Sequence, residues 1–137
     1  MFERLLHLAL TALVVLAGIQ DWRRREVSDW LTWPPFVMGL VAAIVRAAHL
    51  DLLPLLVCTF VLIIWYFNWL GGADARILIG LWGLWPVAAF WGMVSMGLWG
   101  LTQVMRHKGN KRIPGVTALA FAITLQWLAE AITLFPQ

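Results

Sequence analysis

Two carboxylates stand where long apolar runs meet short joints in this chain. Asp21 ends the first apolar run and is followed, after one tryptophan, by three arginines. Asp74 follows Gly71, Gly72 and Ala73, with apolar runs on both sides of this stretch. The glycines would let the backbone bend and approach a neighbouring helix closely. An ionisable side chain in apolar surroundings is costly and by default indicates a functional site.

The chemistry open to such a pair is hydrolysis by water. Two carboxyl groups within a few ångströms of each other do not both ionise easily, so one is charged while the other keeps its proton. The charged group can take a proton from water, and the protonated group can give its proton to a peptide carbonyl. Asp21 and Asp74 could therefore split an amide without a nucleophilic side chain, a cofactor or a metal ion.

A structural explanation is also open for both residues. Asp is a preferred N-cap residue, so Asp74 could cap a helix. Asp21 could pair with the arginines at positions 23 to 25. Position and spacing alone leave both explanations standing.

The composition is typical of a protein that lies in a lipid bilayer. Of the 137 residues, 62% are hydrophobic and 12% are charged, whereas soluble domains average roughly half apolar and a quarter charged. We therefore expect a single transmembrane domain over residues 1–137. The net charge of +3 does not indicate nucleic acid, because the basic residues lie in short loops beside apolar runs. The single Cys58 excludes an intrachain disulfide, and the scattered histidines do not suggest a metal site.

The apolar runs predict an all-α, polytopic bundle of about six segments. These lie at about 5–20, 30–49, 52–70, 74–85, 86–105 and 114–134. The positive-inside rule puts the basic loops on one side only if residues 75–105 cross twice, with a break near Pro86. The fourth segment has about 12 residues, or about 18 Å of helix, so it makes a partial crossing or lies where the bilayer is thin.

This topology assigns the acids to two faces of the membrane. The amino terminus is expected outside, with Asp21 and Asp74 both at the cytoplasmic face. Asp51 falls at the opposite face and Glu130 lies close to it, so neither should meet the first pair.

Two further expectations concern the helices themselves. Glycines give the fourth and fifth segments small faces, which indicate close packing against other helices. These glycines are 80, 83, 92, 97 and 100. The first segment could instead be a cleaved signal peptide, with Ala17 and Gly18 in its cleavage region. The three arginines behind it favour retention as a membrane helix.

Three motifs in this order resemble the type IV prepilin peptidases and preflagellin peptidases, a family of membrane aspartic proteases. They are "DWRRREVSDWLTWPP" at 21–35, "GGADAR" at 71–76 and "RIPGVTALA" at 112–120. The resemblance implies that Asp21 and Asp74 are the catalytic acids, and that Gly71, Gly72 and Ala73 support the second one. Ala73 replaces a glycine of the family pattern, and Ser28 replaces a proline.

The resemblance also implies a substrate and a location. The substrate would be a prepilin-like precursor, such as a type IV pilin, pseudopilin or archaellin, whose short basic leader is removed at the cytoplasmic face of the inner membrane. Glu26 and Asp29 could contact that leader. Larger members carry an amino-terminal region with cysteine pairs linked to methylation, so this chain is expected to be the minimal, peptidase-only form.

Two other functions are compatible with the same residues. A presenilin-like intramembrane aspartic protease shares a Gly-x-Gly-Asp element and would cut within a transmembrane helix. A non-catalytic membrane scaffold or a small transporter subunit would use the acids for packing or for ion sites.

Overall fold

The described part of the protein is entirely helical apart from its turns. The computed structural model describes residues 2–24, 26–68, 70–105 and 115–133. The helices are α1 (Phe2–Arg24), α2 (Asp29–Ala48), α3 (Leu53–Tyr66), α4 (Gly72–Leu84), α5 (Pro86–Met105) and α6 (Gly115–Thr133). No strand occurs in these ranges, and the predicted all-α bundle with a short fourth segment is confirmed.

Helices α1 and α6 pack side by side in opposite directions. His7 of α1 lies beside Glu130 near the end of α6. Fourteen residues further along α1, Asp21 lies beside Thr117 in the first turn of α6. The two helices approach closely at Gly18, where an added Cβ would lie 2.7 Å from Cβ of Ala120.

Helices α2 and α4 run in the same direction and touch through their backbones. Asp29 begins α2 next to Arg76, the fifth residue of α4. Further along, an added Cβ on Gly39 would lie 2.5 Å from the carbonyl oxygen of Gly80, and one on Gly83 would overlap the backbone of Gly39. The expected packing role of glycines 80 and 83 is therefore confirmed, since a larger residue at either position would force the helices apart.

On α5, the expected packing role is confirmed for one glycine and wrong for another. A Cβ added to Gly92 would lie 2.5 Å from a methyl carbon of Leu119 on α6, as a packing role requires. Gly97 has nothing within 4 Å of an added Cβ, so the prediction is wrong there. The reason is that Gly97 lies on the exposed side of α5.

The short helix α4 is the most enclosed helix of the bundle. It has 13 residues, which span about 20 Å at about 1.5 Å per residue. Its buried residues are Ala75, Ile77, Leu78, Ile79, Gly80, Leu81 and Gly83. A helix with apolar residues on nearly all sides belongs in the interior of a bundle, so neighbouring helices surround it.

The chain reverses direction between α4 and α5. The break falls at Trp85 (φ −149°, ψ 74°), because the residue before a proline is forced away from helical geometry. The indole N–H of Trp82 donates to the sulfur of Met93 at 3.2 Å. On one straight helix these residues would be about 16 Å apart, so the predicted break near Pro86 is confirmed.

The outer surface of the bundle is apolar. Among the described residues, three helical stretches are long and apolar enough to cross a membrane: Glu3–Arg24, Asp29–Ala48 and Gly115–Ile132. Large apolar side chains such as Val41, Phe121 and Ile132 are more than half exposed. Hydrocarbon chains of lipid would cover such a surface, as expected for a membrane protein.

Candidate active site

Asp21 lies in the last turns of α1 and is held by α6. The backbone N–H of Thr117 donates to Oδ2 of Asp21 at 3.4 Å, and the hydroxyl oxygen of Thr117 lies 3.3 Å from the same atom. Arg23 and Arg24 are exposed, and neither forms an ion pair with Asp21. The structural explanation through these two arginines therefore fails, whereas Arg25 lies outside the described residues.

Asp74 lies in the first turn of α4, two residues after its start. The N-cap position belongs to Gly71, so the alternative that Asp74 is the N-cap residue of this helix is wrong. The Asp74 carboxyl group lies against the first turn of α6, where the backbone N–H of Val116 stabilises its negative charge. Asp74 is half-buried, and the negative charge of Asp21 acts on it across the site.

The first turn of α6 connects the two acids. Val116 and Thr117 offer consecutive backbone N–H groups, the first to Asp74 and the second to Asp21. The first amides of a helix have no acceptor within that helix, and they carry its positive dipole end. The amino end of α6 therefore brings both carboxyl groups to one place and supplies neutral donors to each.

Glycines leave the space that the Asp74 carboxyl group occupies. A Cβ on Gly71 would lie 2.8 Å from Oδ2 of Asp74, and a Cβ on Gly115 would lie 2.5 Å from Oδ1. Gly71 has an ordinary extended backbone (φ −63°, ψ 145°), and no described glycine has a positive φ. The backbone conformation of Gly71 therefore does not itself require glycine, and its expected part in bending the chain stays a prediction. The missing side chain leaves room for the Asp74 carboxyl group.

The other two residues before Asp74 have packing roles. Gly72 packs against α3, since an added Cβ would lie 3.4 Å from Nε1 of Trp65, in ordinary van der Waals contact. Ala73 packs against the buried core. Alanine in place of the second glycine of the family pattern is thus accommodated by apolar contact.

An ion pair connects the starts of α2 and α4 beside the acids. Arg76 donates to Oδ1 of Asp29 and lies 3.4 Å from the hydroxyl of Thr32. Its guanidinium carbon lies 4.8 Å from the ring centre of Trp33 and 5.9 Å from that of Trp65. Stacking on indole rings keeps a guanidinium in place, so this pair fixes the position of α4 against α2.

The two residues proposed to contact a basic leader lie in different surroundings. Asp29 is engaged by Arg76, but its side chain is still 74% exposed. Glu26 is exposed in the turn that joins α1 to α2. This turn is held by Ser28, whose backbone N–H donates to the side-chain oxygen of Gln20 at 3.0 Å.

The remaining described acids near helix ends lie away from this site. Glu130 pairs with His7 at 3.6 Å, and the His7 ring stacks on Trp85 with ring centres 4.0 Å apart. Asp51 pairs with Arg46 at 2.7 Å. As predicted, neither acid meets Asp21 or Asp74. Nowhere in the described ranges do three His, Cys, Asp or Glu side chains come together as metal ligands would.

Sequence reasoning missed the part that α6 plays. The motif at 112–120 contributes to the family resemblance, but it does not predict a site role for any of its residues. A glycine just after Pro114, followed by Val116 and Thr117, is a recognisable helix start. Which side chains this start would meet depends on packing, which the local sequence does not show.

The fold and this site define a helical membrane protein with two carboxyl groups held side by side at one end of its bundle. A model of the type IV leader peptidase family matches residues 8–134. The chain therefore belongs to the type IV leader peptidase family, and it is a protease. No curated protein and no solved structure matches the chain.

Proposed function

We propose that this protein is a membrane aspartic endopeptidase that removes the short basic leader from prepilin-like precursors at the cytoplasmic face. Membership of a leader peptidase family supports the substrate class. The observation that carries the catalytic assignment is that both carboxyl groups lie against the first turn of α6. The backbone N–H of Thr117 donates to Asp21 at 3.4 Å, and Oδ1 of Asp74 lies beside Gly115, 2.5 Å from the position of an added Cβ.

The proposed reaction uses water as the nucleophile. The ionised carboxylate of the pair takes a proton from water while the protonated carboxyl group gives its proton to the oxygen of the scissile carbonyl. The hydroxyl adds to the carbonyl carbon, and a tetrahedral diol forms. The diol then returns its hydroxyl proton to the pair, the carbon–nitrogen bond breaks, and the nitrogen receives a proton as it leaves. The pair ends with one proton, as it began, and either acid can take either role.

The bilayer orients such a substrate. A precursor with a basic leader before a long apolar helix would keep the leader in the cytoplasm and the helix in the hydrocarbon. The positive-inside rule assigns the α1–α2 turn, with Arg23 and Arg24, to the cytoplasmic side. The exposed carboxylates of Glu26 and Asp29 lie at this end, where they would attract the basic leader.

The test is a processing assay on membranes that contain the full chain and a prepilin. Asp21→Asn and Asp74→Asn should each lower cleavage by about a thousandfold or more, because each removes one half of the acid–base pair. Asp51→Asn is the matched control, since it removes an acid of the opposite end, and it should cleave at the normal rate.

Two outcomes would contradict the proposal. Normal processing by both site variants would leave a scaffold or a transporter subunit as the explanation. Cleavage inside the apolar helix, mapped by mass spectrometry of the product, would favour a presenilin-like protease over a leader peptidase.

A further inference from the structure

We infer that Thr117 is a positioning residue whose hydroxyl stabilises Asp21 in both of its protonation states. This inference rests on the proposed function, because it concerns the acid–base pair of that reaction. It adds a third side chain to the site, one that touches neither water nor substrate in the proposed mechanism.

The hydroxyl of Thr117 lies between two acceptors. Its oxygen is 3.1 Å from the carbonyl oxygen of Gly18 and 3.3 Å from Oδ2 of Asp21. A threonine hydroxyl has one proton to donate and two lone pairs that accept. It therefore cannot donate to both oxygens at once, and at any moment it donates to one of the two.

Which oxygen accepts this hydrogen bond depends on the protonation state of Asp21. When Asp21 is ionised, the Thr117 hydroxyl donates to the carboxylate, which is the stronger acceptor. When Asp21 is protonated, the carboxyl group donates to the hydroxyl oxygen, and the hydroxyl turns to donate to the carbonyl of Gly18. In each state the Asp21 carboxyl group keeps a hydrogen bond to the Thr117 hydroxyl, and the change requires only the rotation of one O–H bond.

A backbone N–H cannot switch in this way between donating and accepting. The backbone N–H of Thr117, 3.4 Å from Oδ2 of Asp21, can serve a carboxylate but cannot accept a proton from a carboxylic acid. An acid–base catalyst must pass through both states in each turnover. A rotating hydroxyl lowers the cost of that passage at Asp21.

The surrounding helices place the hydroxyl where it is needed. The close approach of α1 and α6 at Gly18 and Ala120 brings the Gly18 carbonyl within reach of Thr117. Asp74 of α4 is the titratable group that faces Asp21, and the first turns of α6, residues 115–120, carry no ionisable side chain. The hydroxyl therefore responds to the proton of the aspartate pair.

The experiment compares three threonine variants of the full chain in the prepilin cleavage assay. Thr117→Val keeps the shape and removes the hydroxyl, and it should lower kcat roughly tenfold to hundredfold with KM nearly unchanged. Thr117→Ser keeps the hydroxyl and should stay within about threefold of the unmodified protein. Thr124→Val is the matched control on the same helix, because the Thr124 hydroxyl only donates to the carbonyl of Ala120 at 2.8 Å.

The pH profile separates positioning from a merely structural role. Loss of the hydroxyl removes a group that serves both protonation states of the pair, so the pH profile of kcat, which belongs to the pair as a unit, should change in Thr117→Val. A rate loss shared equally by Thr117→Val and Thr117→Ser, with an unchanged profile, would overturn the inference. So would a normal rate and a normal profile in Thr117→Val. If that variant does not accumulate in membranes, the same profile is measured for Thr117→Ala, with the same criteria.

Failure of this inference is distinguishable from failure of the proposed function. An inactive Asp21→Asn alongside a fully normal Thr117→Val would remove only the role of Thr117. Normal cleavage by Asp21→Asn and Asp74→Asn would instead remove the proposed reaction itself.

Discussion

The acids at the two ends of the helix bundle have different surroundings. At one end, Glu130 lies next to His7, and Asp51 pairs with Arg46. At the other end, Asp21 and Asp74 lie against the first turn of α6, which offers them neutral N–H groups. Among the described residues, neither of these two acids has a cationic partner.

This difference separates structural acids from acids that can do chemistry. A neighbouring cation stabilises the charged form of a carboxyl group and so makes protonation of that group less favourable. Neutral donors orient the group and still allow it to change its protonation state. The pair formed by Asp29 and Arg76 belongs to the structural kind, although it lies near the candidate site.

The largest expected effect concerns the sides of the membrane on which the two ends lie. In a chain whose native thiol is removed by Cys58→Ala, a cysteine can be placed at either end of the bundle. Trp22 and Leu50 are suitable positions, because their side chains are 64% and 90% exposed. A membrane-impermeant maleimide applied from outside should label Leu50→Cys and leave Trp22→Cys unlabelled, with the reverse result in inverted vesicles. Labelling of both from one side would contradict the two-ended arrangement.

A steric change at the site should have the next largest effect. Gly115→Ala would put a methyl group 2.5 Å from Oδ1 of Asp74, so the carboxyl group must move. We expect prepilin cleavage to fall about a hundredfold, since a displacement of about 1 Å can cost that much.

The control for this change is another glycine-to-alanine substitution. Gly97→Ala adds a methyl group where nothing lies within 4 Å, and cleavage should stay normal. Equal activity of the two variants would show that the Asp74 carboxyl group is free to relocate and that the tight space has no catalytic meaning.

A moderate effect is expected from the ion pair beside the site. Arg76→Met should lower cleavage by about tenfold or less, because the start of α4 would lose its attachment to α2. The double exchange Asp29→Arg with Arg76→Asp restores the attachment but moves a positive charge to the position where Asp29 would attract the basic leader, so it should recover only part of that loss. The corresponding exchange at the other end, Arg46→Asp with Asp51→Arg, should leave cleavage unchanged, and a loss there would show that the two ends are coupled.

The smallest effect is expected from the acid of α6 at the opposite end. Glu130→Gln removes the charge opposite His7 but keeps a polar group beside Gln126. Partly exposed pairs contribute about 1 kcal/mol or less, so thermal unfolding in detergent should shift by only a few degrees. Cleavage in membranes should not change, and a large loss of activity would contradict the division between the two ends.

Much of the fold could be predicted because its signals are local. Apolar runs of helical length predicted six segments, and Pro86 placed the break that makes α4 short. The glycines of α4 predicted its close packing, because a missing side chain matters wherever two backbones meet. Gly97 shows the limit of that argument, since its small face points away from any neighbour.

The candidate site could be predicted only in part for a related reason. Asp21 and Asp74 were recognisable as acids in apolar surroundings. The space that Gly115 leaves for the Asp74 carboxyl group could not be predicted, because these two residues meet only in the folded chain. Arg76 and its pairing with Asp29 could not be foreseen either, since 47 residues separate the two partners.

By itself, the sequence determined that this protein is a helical membrane protein with two acids at helix ends, because hydrophobicity and helix breaks act over short stretches of chain. Only the tertiary structure decided that the first turn of α6 joins those acids, with Gly115 making room for Asp74 and Thr117 reaching Asp21. The amino end of any helix offers free N–H groups. Which side chains receive them is set by the contact of α1 with α6 at Gly18, between residues about a hundred positions apart.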